Sequence, residues 1–244
     1  MPLRIMRMCA LLAAGSIFDP GAIASVMAWY HLLPAGLVDG QIIDTVQDQS
    51  GEGAEDLTQA SASLQPTYDI DSGGWETSVT GGCLVGASLT AWKPLHGGAA
   101  SVVSRAEIDP TQTSWVINTL WGPHAGSGVW AYWDPGSGRW IVRIGGRSYN
   151  MTPTVAPSGL HTLIFTWDDL GQVRVYQDGA LVASASVAPL FSTDDQASPL
   201  VIGAGYFSGI QSSDQIVTDI IIFDEYVDAS QALALHEGLT AYRA

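Results

Sequence analysis

Two carboxylates at alternate positions, Glu107 and Asp109, are spaced like part of an acid–base pair. Hydrolysis of a glycoside with retention needs two carboxyl groups roughly 5 Å apart, one as nucleophile and one as proton donor. Pro110 follows directly and would end the strand on which such a pair must lie, because proline cannot donate to a sheet ladder. Glu107 and Asp109 are therefore predicted to be surface carboxylates beside a loop, and the chain is predicted not to be an enzyme.

Aromatic residues in a predicted hairpin over residues 128–145 offer a different chemistry, the binding of a ligand. With Pro135-Gly-Ser-Gly138 as the loop, Trp133 faces Trp140 and Asp134 faces Arg139. A register shifted by one residue would mix arginines into the apolar face, which is costly. The preferred register therefore predicts an entirely apolar core face. Its members are Val129, Ala131, Trp133, Trp140, Val142 and Ile144.

The same register turns a second set of side chains outward, with Trp130 opposite Arg143 and Tyr132 opposite Ile141. Stacked aromatic rings beside a cation suit the apolar faces and hydroxyls of sugars. A surface glycan, neutral or cationic rather than polyanionic, is the predicted partner. An equally weighted alternative is that loops or another subunit cover this face. The predicted glycan-binding residues are Trp130, Tyr132, Arg143, Trp121 and His124.

No cofactor is predicted, but acidic pairs in predicted loops leave calcium open as a ligand. Aspartate also favours turns because it hydrogen-bonds its own backbone, and this explanation is preferred for each pair. The five histidines show no metal-ligand spacing, and a buried role is preferred for both cysteines, Cys9 and Cys83. The acidic pairs are Asp69 and Asp71, Asp168 and Asp169, and Asp194 and Asp195.

The composition indicates an all-β domain. Hydrophobic residues make up 47% of the 244 residues and charged residues only 14%, while 27 glycines and 12 prolines suit short strands joined by tight turns. The formal net charge of −15 would repel nucleic acid and anionic membranes. No stretch reaches the roughly 18 uninterrupted apolar residues that a membrane-spanning helix needs. Neither nucleic acid binding nor membrane insertion is therefore expected.

Alternation and turn signals place the elements that carry these residues. His161–Trp167 alternates, with Leu163, Phe165 and Trp167 on one face, and Asp178-Gly179 predicts a two-residue hairpin loop within a three-stranded meander. Asp228 and Gln231 form a predicted capping box for a C-terminal helix. An apolar stripe along that helix consists of Ala232, Leu235, Leu239 and Tyr242. Four tryptophans are predicted to pack in the core, Trp29, Trp133, Trp140 and Trp167.

These segments resemble the laminin-G/pentraxin-type concanavalin-A-like superfamily. His161–Trp167 followed by Gly171-Gln-Val-Arg-Val-Tyr-Gln-Asp-Gly179 is similar to its strand ending in Trp and its "x-Val-x-Tyr-x-Asp-Gly" motif, and Leu200-Val-Ile-Gly203 to its "Leu-x-Ile-Gly" strand. The resemblance implies a two-sheet antiparallel jelly-roll sandwich over residues 20–244 with a short C-terminal helix. Glucanases of this fold use Glu-x-Asp-x-(x)-Glu, whose last carboxylate is replaced here by Thr111 and Gln112.

The N-terminal part resembles the opening of bacteriophage and prophage virion proteins that carry this domain. The resemblance rests on motifs that include Phe18-Asp-Pro-Gly-Ala-Ile23, Asp48-Gln-Ser-Gly-Glu-Gly53 and Pro66-Thr-Tyr68. It implies a non-catalytic appendage or decoration subunit, a head spike or tail fibre, that is homo-oligomeric on the surface of a phage or phage-like particle and binds host surface polysaccharide. A secreted bacterial lectin or adhesin, extracellular in location, and a purely structural assembly module are the alternatives.

Residues 1–19 imitate a secretory signal, with Arg4 and Arg7 before an apolar run. Phe18-Asp19-Pro20 interrupts that run before the small-residue site at 22–24. The segment is therefore predicted to stay on the mature protein as an N-terminal arm that packs against the domain or, preferably, a neighbouring subunit, since apolar arms need cover. Its buried side chains are predicted to be Ile5, Leu11, Leu12 and Ile17.

Overall fold

Two antiparallel β-sheets of eight strands each pack face to face in the computed structural model. The structure describes residues 26–32, 36–77, 82–86, 91–92, 94–118, 129–144, 147–186, 199–204 and 214–243. Residues 1–19, Trp121, His124, Asp194 and Asp195, named above, lie outside them. The strands are β1 (Val26–His31), β2 (Thr45–Val46), β3 (Leu57–Thr58), β4 (Thr67–Asp69), β5 (Gly74–Thr77), β6 (Leu84–Gly86), β7 (Ala100–Ile108), β8 (Ser114–Asn118), β9 (Trp130–Asp134), β10 (Arg139–Ile144), β11 (Arg147–Met151), β12 (Gly159–Trp167), β13 (Gln172–Gln177), β14 (Ala180–Ser186), β15 (Leu200–Ile202) and β16 (Gln215–Phe223).

The first sheet has the strand order β14-β13-β12-β7-β16-β5-β4, and β1 also pairs with β16. The second sheet has the order β11-β10-β9-β8-β15-β6-β3-β2. In the described part of the chain the helical elements are a 3-10 turn at Ala62–Leu64, a short helix α1 (Pro94–Gly97) and the C-terminal helix α2 (Ala229–Arg243). The predicted fold, an antiparallel two-sheet sandwich closed by one C-terminal helix, is confirmed.

The inner faces of the two sheets meet in one apolar core. Trp140 lies at its centre and packs edge-on against Trp133 of its own sheet and Phe165 of the opposite sheet, with ring centroids 5.4 and 5.1 Å apart. Edge-to-face pairs of this kind are favourable because the rings carry opposite partial charges on face and edge. All four tryptophans predicted to pack are buried: Trp133, Trp140 and Trp167 lie in this core, and Trp29 lies in a second cluster on the outer face of the first sheet.

The hairpin β9–β10 has the predicted register. Asp134 pairs with Arg139, Trp133 with Trp140 and Trp130 with Arg143. The Asp134 carboxylate accepts hydrogen bonds from Gly136 N and Ser137 Oγ, which stabilises the loop where the prediction placed it. Alternation then places every member of the predicted apolar face in the core. These side chains are Val129, Ala131, Trp133, Trp140, Val142 and Ile144.

The meander β12–β13–β14 is also confirmed, and its second loop contains only Asp178 and Gly179. Both have positive φ, 51° and 78°, as a two-residue loop of the mirror-image type I turn requires. A Cβ on Gly179 would come within 2.8 Å of the backbone of Leu233, so this turn also allows α2 to approach closely. Glycine is therefore needed here for its conformation and for its size.

Helix α2 begins with the predicted capping box. Gln231 N donates to the Asp228 carboxylate at 3.0 Å, and the Gln231 side chain accepts from Asp228 N at 2.6 Å. The predicted stripe packs on the outer face of the first sheet, with Ala232, Leu235 and Leu239 buried and Tyr242 partly buried. The sheet is thereby covered on both faces, so the threonines that alternate with the core residues of β12 are buried as well.

A buried ion pair joins the end of α2 to β16. The guanidinium of Arg243 donates to both oxygens of Asp219 at 3.1 Å and to the carbonyl oxygen of Thr218 at 2.7 Å. Arg105, opposite Asp219 on β7, donates to the carbonyl oxygen of Leu239 at 3.2 Å. The break that Thr218 and Asp219 make in an otherwise apolar strand therefore corresponds to a polar anchor for the last turn of the helix.

His31 lies beside this anchor and should make folding stability depend on pH. Burial lowers its pKa, opposed by the nearby Asp219 carboxylate. The unfolded chain, whose histidine has a pKa near 6.5, then binds more protons than the folded chain below that pH. We expect the contribution of His31 to the free energy of unfolding to be fully present above about pH 6.5. As the pH drops below that value, the free energy of unfolding should fall by at most about 1.4 kcal/mol per pH unit.

Urea denaturation of the wild type and of His31→Phe at pH 7.5 and 5.5 measures this contribution. Phenylalanine keeps a ring against Trp29, whose centroid is 4.2 Å from that of His31, but cannot bind a proton. The variant should lose less stability than the wild type between the two pH values. An equal loss in both proteins would contradict the assignment to His31.

Candidate functional site

An aromatic–cation cluster lies on the outer face of the second sheet, built by the β9–β10 hairpin. The guanidinium carbon of Arg143 is 5.2 Å from the ring centroid of Trp130, its partner across the strands. Tyr132, two residues along β9, stands edge-on to Trp130, with centroids 6.2 Å apart and planes at 86°. The hairpin thus brings the three predicted residues together in the predicted arrangement.

These side chains point outward as predicted, but they are half-buried rather than exposed. The reason is their position in the sheet. Strand β9 lies between β8 and β10, and β10 lies between β9 and β11, so each side chain has neighbours on both sides. Trp130, Tyr132 and Arg143 also cover parts of one another through the contacts given above.

The environment keeps the Tyr132 hydroxyl protonated. Partial burial raises its pKa, and the negative charge of Asp134 adds to that effect. A protonated phenol can donate a hydrogen bond as well as accept one. The cluster therefore combines ring faces, a hydroxyl and a guanidinium, which are the groups that bind sugar C–H faces and hydroxyl oxygens.

Two further polar residues belong to this face and were missed in the sequence. Ser148 of β11 pairs with Arg143, and Asn150 pairs with Ile141; both are exposed. Their strand alternates polar and apolar residues, with Tyr149 buried between them. That alternation was the available signal. The other two predicted site residues, Trp121 and His124, are outside the described part of the chain.

A family model described as the concanavalin A-like lectin/glucanase superfamily matches residues 86–231, more than half of the chain and all three residues of the cluster. The chain belongs to this superfamily. The identification agrees with the sandwich and with the resemblance found in the β12–β14 motifs. A comparison with curated protein sequences found no match.

Solved structures similar to this lectin/glucanase superfamily domain include two kinds of protein. A Trypanosoma rangeli sialidase in complex with sialic acid has a TM-score of 0.61 at 15% identity, covering 93% of this chain and 34% of that one. The binding domain of botulinum neurotoxin serotype D/C has a TM-score of 0.62 at 12% identity, covering 88% and 52%. The chain therefore spans about a third of the sialidase and half of the toxin domain, and the likeness is one of fold.

The carboxylates that correspond to the first half of the glucanase motif lie at the surface. Glu107 is exposed near the end of β7, which stops at Ile108 as the following proline predicted. The Asp109 carboxylate accepts from both the backbone N and the hydroxyl of Thr111, and these bonds lower its pKa. The Asp109 carboxylate therefore stabilises its own turn through these two hydrogen bonds.

Two of the acidic loop pairs contain an aspartate that serves its own turn. Asp69 accepts from Ser72 N at 2.7 Å, while Asp168 accepts from Leu170 N at 2.9 Å and Gln172 N at 2.8 Å. Such contacts are the usual reason for aspartate in a turn. Among the described residues, no group of three or more His, Cys, Asp or Glu is disposed to hold a metal ion.

Two of the five histidines, His161 and His236, lie close to the same carboxylate, that of Asp178. Asp178 of the meander lies 2.7 Å from His161 Nδ1 and 3.7 Å from His236 Nδ1 of α2. Its carboxylate also accepts from Thr162 N at 2.9 Å. This contact, which no spacing in the sequence indicated, links the hairpin loop to the helix.

Over the residues that the structure describes, no helix is long and apolar enough to cross a membrane.

Proposed function

We propose that this domain is a non-catalytic glycan-binding module whose binding face is the aromatic–cation cluster of Trp130, Tyr132 and Arg143. The observation that carries this proposal is the stacking of Arg143 over Trp130 at 5.2 Å on an outer sheet face. An indole on an outer face contributes less to the core than one between the sheets, and aromatic side chains at such positions mark interaction surfaces. Ser148 and Asn150 add hydrogen-bonding groups at its edge.

Relatives in fold support a glycan as the ligand class. One similar structure is a sialidase with sialic acid, and another is the binding domain of botulinum neurotoxin DC in complex with SialylT. The family description joins lectins with glucanases, and the second half of the glucanase motif is missing here.

We further propose that the module works on the surface of a phage or phage-like particle. It would be an appendage or decoration subunit, a head spike or tail fibre, that assembles as a homo-oligomer with other virion proteins and binds host surface polysaccharide. The support is the resemblance of its N-terminal motifs to those of virion proteins. Light scattering of the purified protein tests the oligomer, and a monomer would contradict that part.

The glycan proposal is tested with Trp130→Ala. Removing a ring on which a sugar stacks should weaken binding to a printed glycan array and to intact host cells about tenfold or more, because aromatic anchors dominate such interfaces. Trp130→Phe keeps a smaller ring and should retain part of the affinity. Circular dichroism and urea denaturation establish that each variant is folded.

A folded Trp130→Ala protein that binds glycans as the wild type does would overturn the assignment of the site. If that variant cannot be purified, Trp130→Phe and Tyr132→Ala give the same comparison with smaller changes. Absence of any glycan binding by the wild type, together with self-association through this face, would instead identify a structural assembly module.

A further inference from the structure

Arg143 differs from the other described arginines that are partly buried. Over the residues that the structure describes, its guanidinium makes no ion pair, and its buried Nε has no hydrogen-bond partner. By contrast, Arg243 binds Asp219 at 3.1 Å, Arg105 donates to a helix carbonyl at 3.2 Å, and Arg174 donates to Gln172 at 2.8 Å. In the described part of the chain, the guanidinium of Arg143 contacts only the face of Trp130.

This lack of an acceptor is unexpected in a chain with 24 acidic residues. A partly desolvated charged donor without a partner is costly, and a bound acceptor recovers that free energy. Along β9, β10 and β11, Asp134 is the only acidic residue, and its carboxylate binds Gly136 and Ser137 in the loop at the far end of the hairpin. Among the residues that the structure describes, no carboxylate therefore matches the positive charge of Arg143.

The surroundings of Arg143 define the shape of the missing acceptor. The indole of Trp130 lies beneath the guanidinium, and Ser148 is exposed directly opposite on β11. A carboxylate is planar and accepts two parallel N–H bonds from a guanidinium, so it fits this fork better than a single hydroxyl does. A sugar ring that carries the carboxylate can then lie on the indole while its hydroxyls reach Ser148 and Asn150.

We infer that the glycan recognised here carries one carboxylated sugar, whose carboxylate binds Arg143 while its ring stacks on Trp130. This inference deepens the proposed function and rests on it. A single carboxylate suits one unmatched guanidinium. A chain of carboxylates, or a phosphate with its higher charge, meets the repulsion of a protein whose formal net charge is −15. The earlier expectation of a neutral or cationic glycan is thereby refined to a mostly neutral glycan with one acidic sugar.

The test compares oligosaccharides that end in a sialic or uronic acid with the same compounds after reduction of the carboxyl group to an alcohol. Two further compounds complete the set: polysialic acid, and a sulfate ester of one of the reduced, neutral oligosaccharides. We expect the wild type to bind at least one acid about tenfold more tightly than the corresponding alcohol. It should also bind that acid more tightly than the sulfate ester, and more tightly than polysialic acid when affinity is expressed per sugar residue.

Arg143→Gln should remove the preference for the acid, so that acid and alcohol bind equally, whereas Trp130→Ala should weaken the binding of both. Arg143→Lys keeps the positive charge but not the two parallel N–H donors of the guanidinium, so it should retain less than half of the preference. Arg139→Gln is the matched control, since it removes the same charge from an exposed position at the loop end of β10. That control should preserve the preference.

The outcomes separate this inference from the proposed function. Equal binding of acid and alcohol, or a preference that survives Arg143→Gln, overturns the carboxylate assignment and leaves glycan binding in place. If the sulfate ester binds as much more tightly than its neutral parent as the acid does, the site recognises anions in general and the choice of a carboxylate is wrong. Binding of none of the compounds, with none on a broader array, overturns the glycan-binding proposal itself and the inference with it.

Discussion

Replacing Arg243 with methionine is expected to lower the free energy of unfolding by about 3–5 kcal/mol, the usual cost of breaking a buried ion pair. The side chain of Asp219 is 0% exposed, and that of Arg243 is 15% exposed. Methionine retains the bulk of the side chain but leaves the carboxylate buried without its charged partner. Urea denaturation monitored by circular dichroism measures the change.

Asp219→Leu should cost at least as much, because Asp219 also lies close to Arg105, whose pKa burial already lowers. Removing the carboxylate leaves two cations near each other under the helix. The double variant Asp219→Leu with Arg243→Met should be more stable than either single variant, since replacing both partners with apolar groups is often nearly neutral. Additive losses in the double variant would show that the two residues act independently.

Trp140→Ala is expected to destabilise the domain by about 3–5 kcal/mol, since a fully buried tryptophan leaves a large cavity. Trp140 is 0% exposed and contacts rings from both sheets. Typical domains are stable by only about 5–15 kcal/mol, so this single change removes a large share of the total. The midpoint of urea denaturation should fall accordingly.

Trp130→Ala on the adjacent strand is the matched control, because it removes the same side chain from the opposite face of the sheet. Its half-buried ring should cost about 1–2 kcal/mol, within the range of ordinary point substitutions. The two variants together test the division of this hairpin into a core face and a binding face. Equal destabilisation by the two substitutions would refute that division.

Local patterns in the sequence were sufficient to predict several elements down to single residues. Period-two alternation and the cost of burying Arg139 or Arg143 predicted the register of β9–β10. The Asp178-Gly179 loop and the capping box at Asp228 were predicted from turn and cap preferences, which depend on a few neighbouring residues. The three cluster residues followed from the same register, so most of the described candidate site was predictable.

Long-range packing decided the rest. Asp219 was visible only as a break in an apolar strand, because its partner Arg243 lies 24 residues away and meets it only when α2 docks. The same docking buries both faces of β12 and brings His236 to Asp178. The half-burial of Trp130, and the lack of a carboxylate partner for Arg143 among the described residues, depend on which strands and side chains surround them in the folded sheet. Alternation and turn chemistry are properties of neighbouring residues, whereas burial and charge pairing are properties of the assembled layers, and only the tertiary structure determines them.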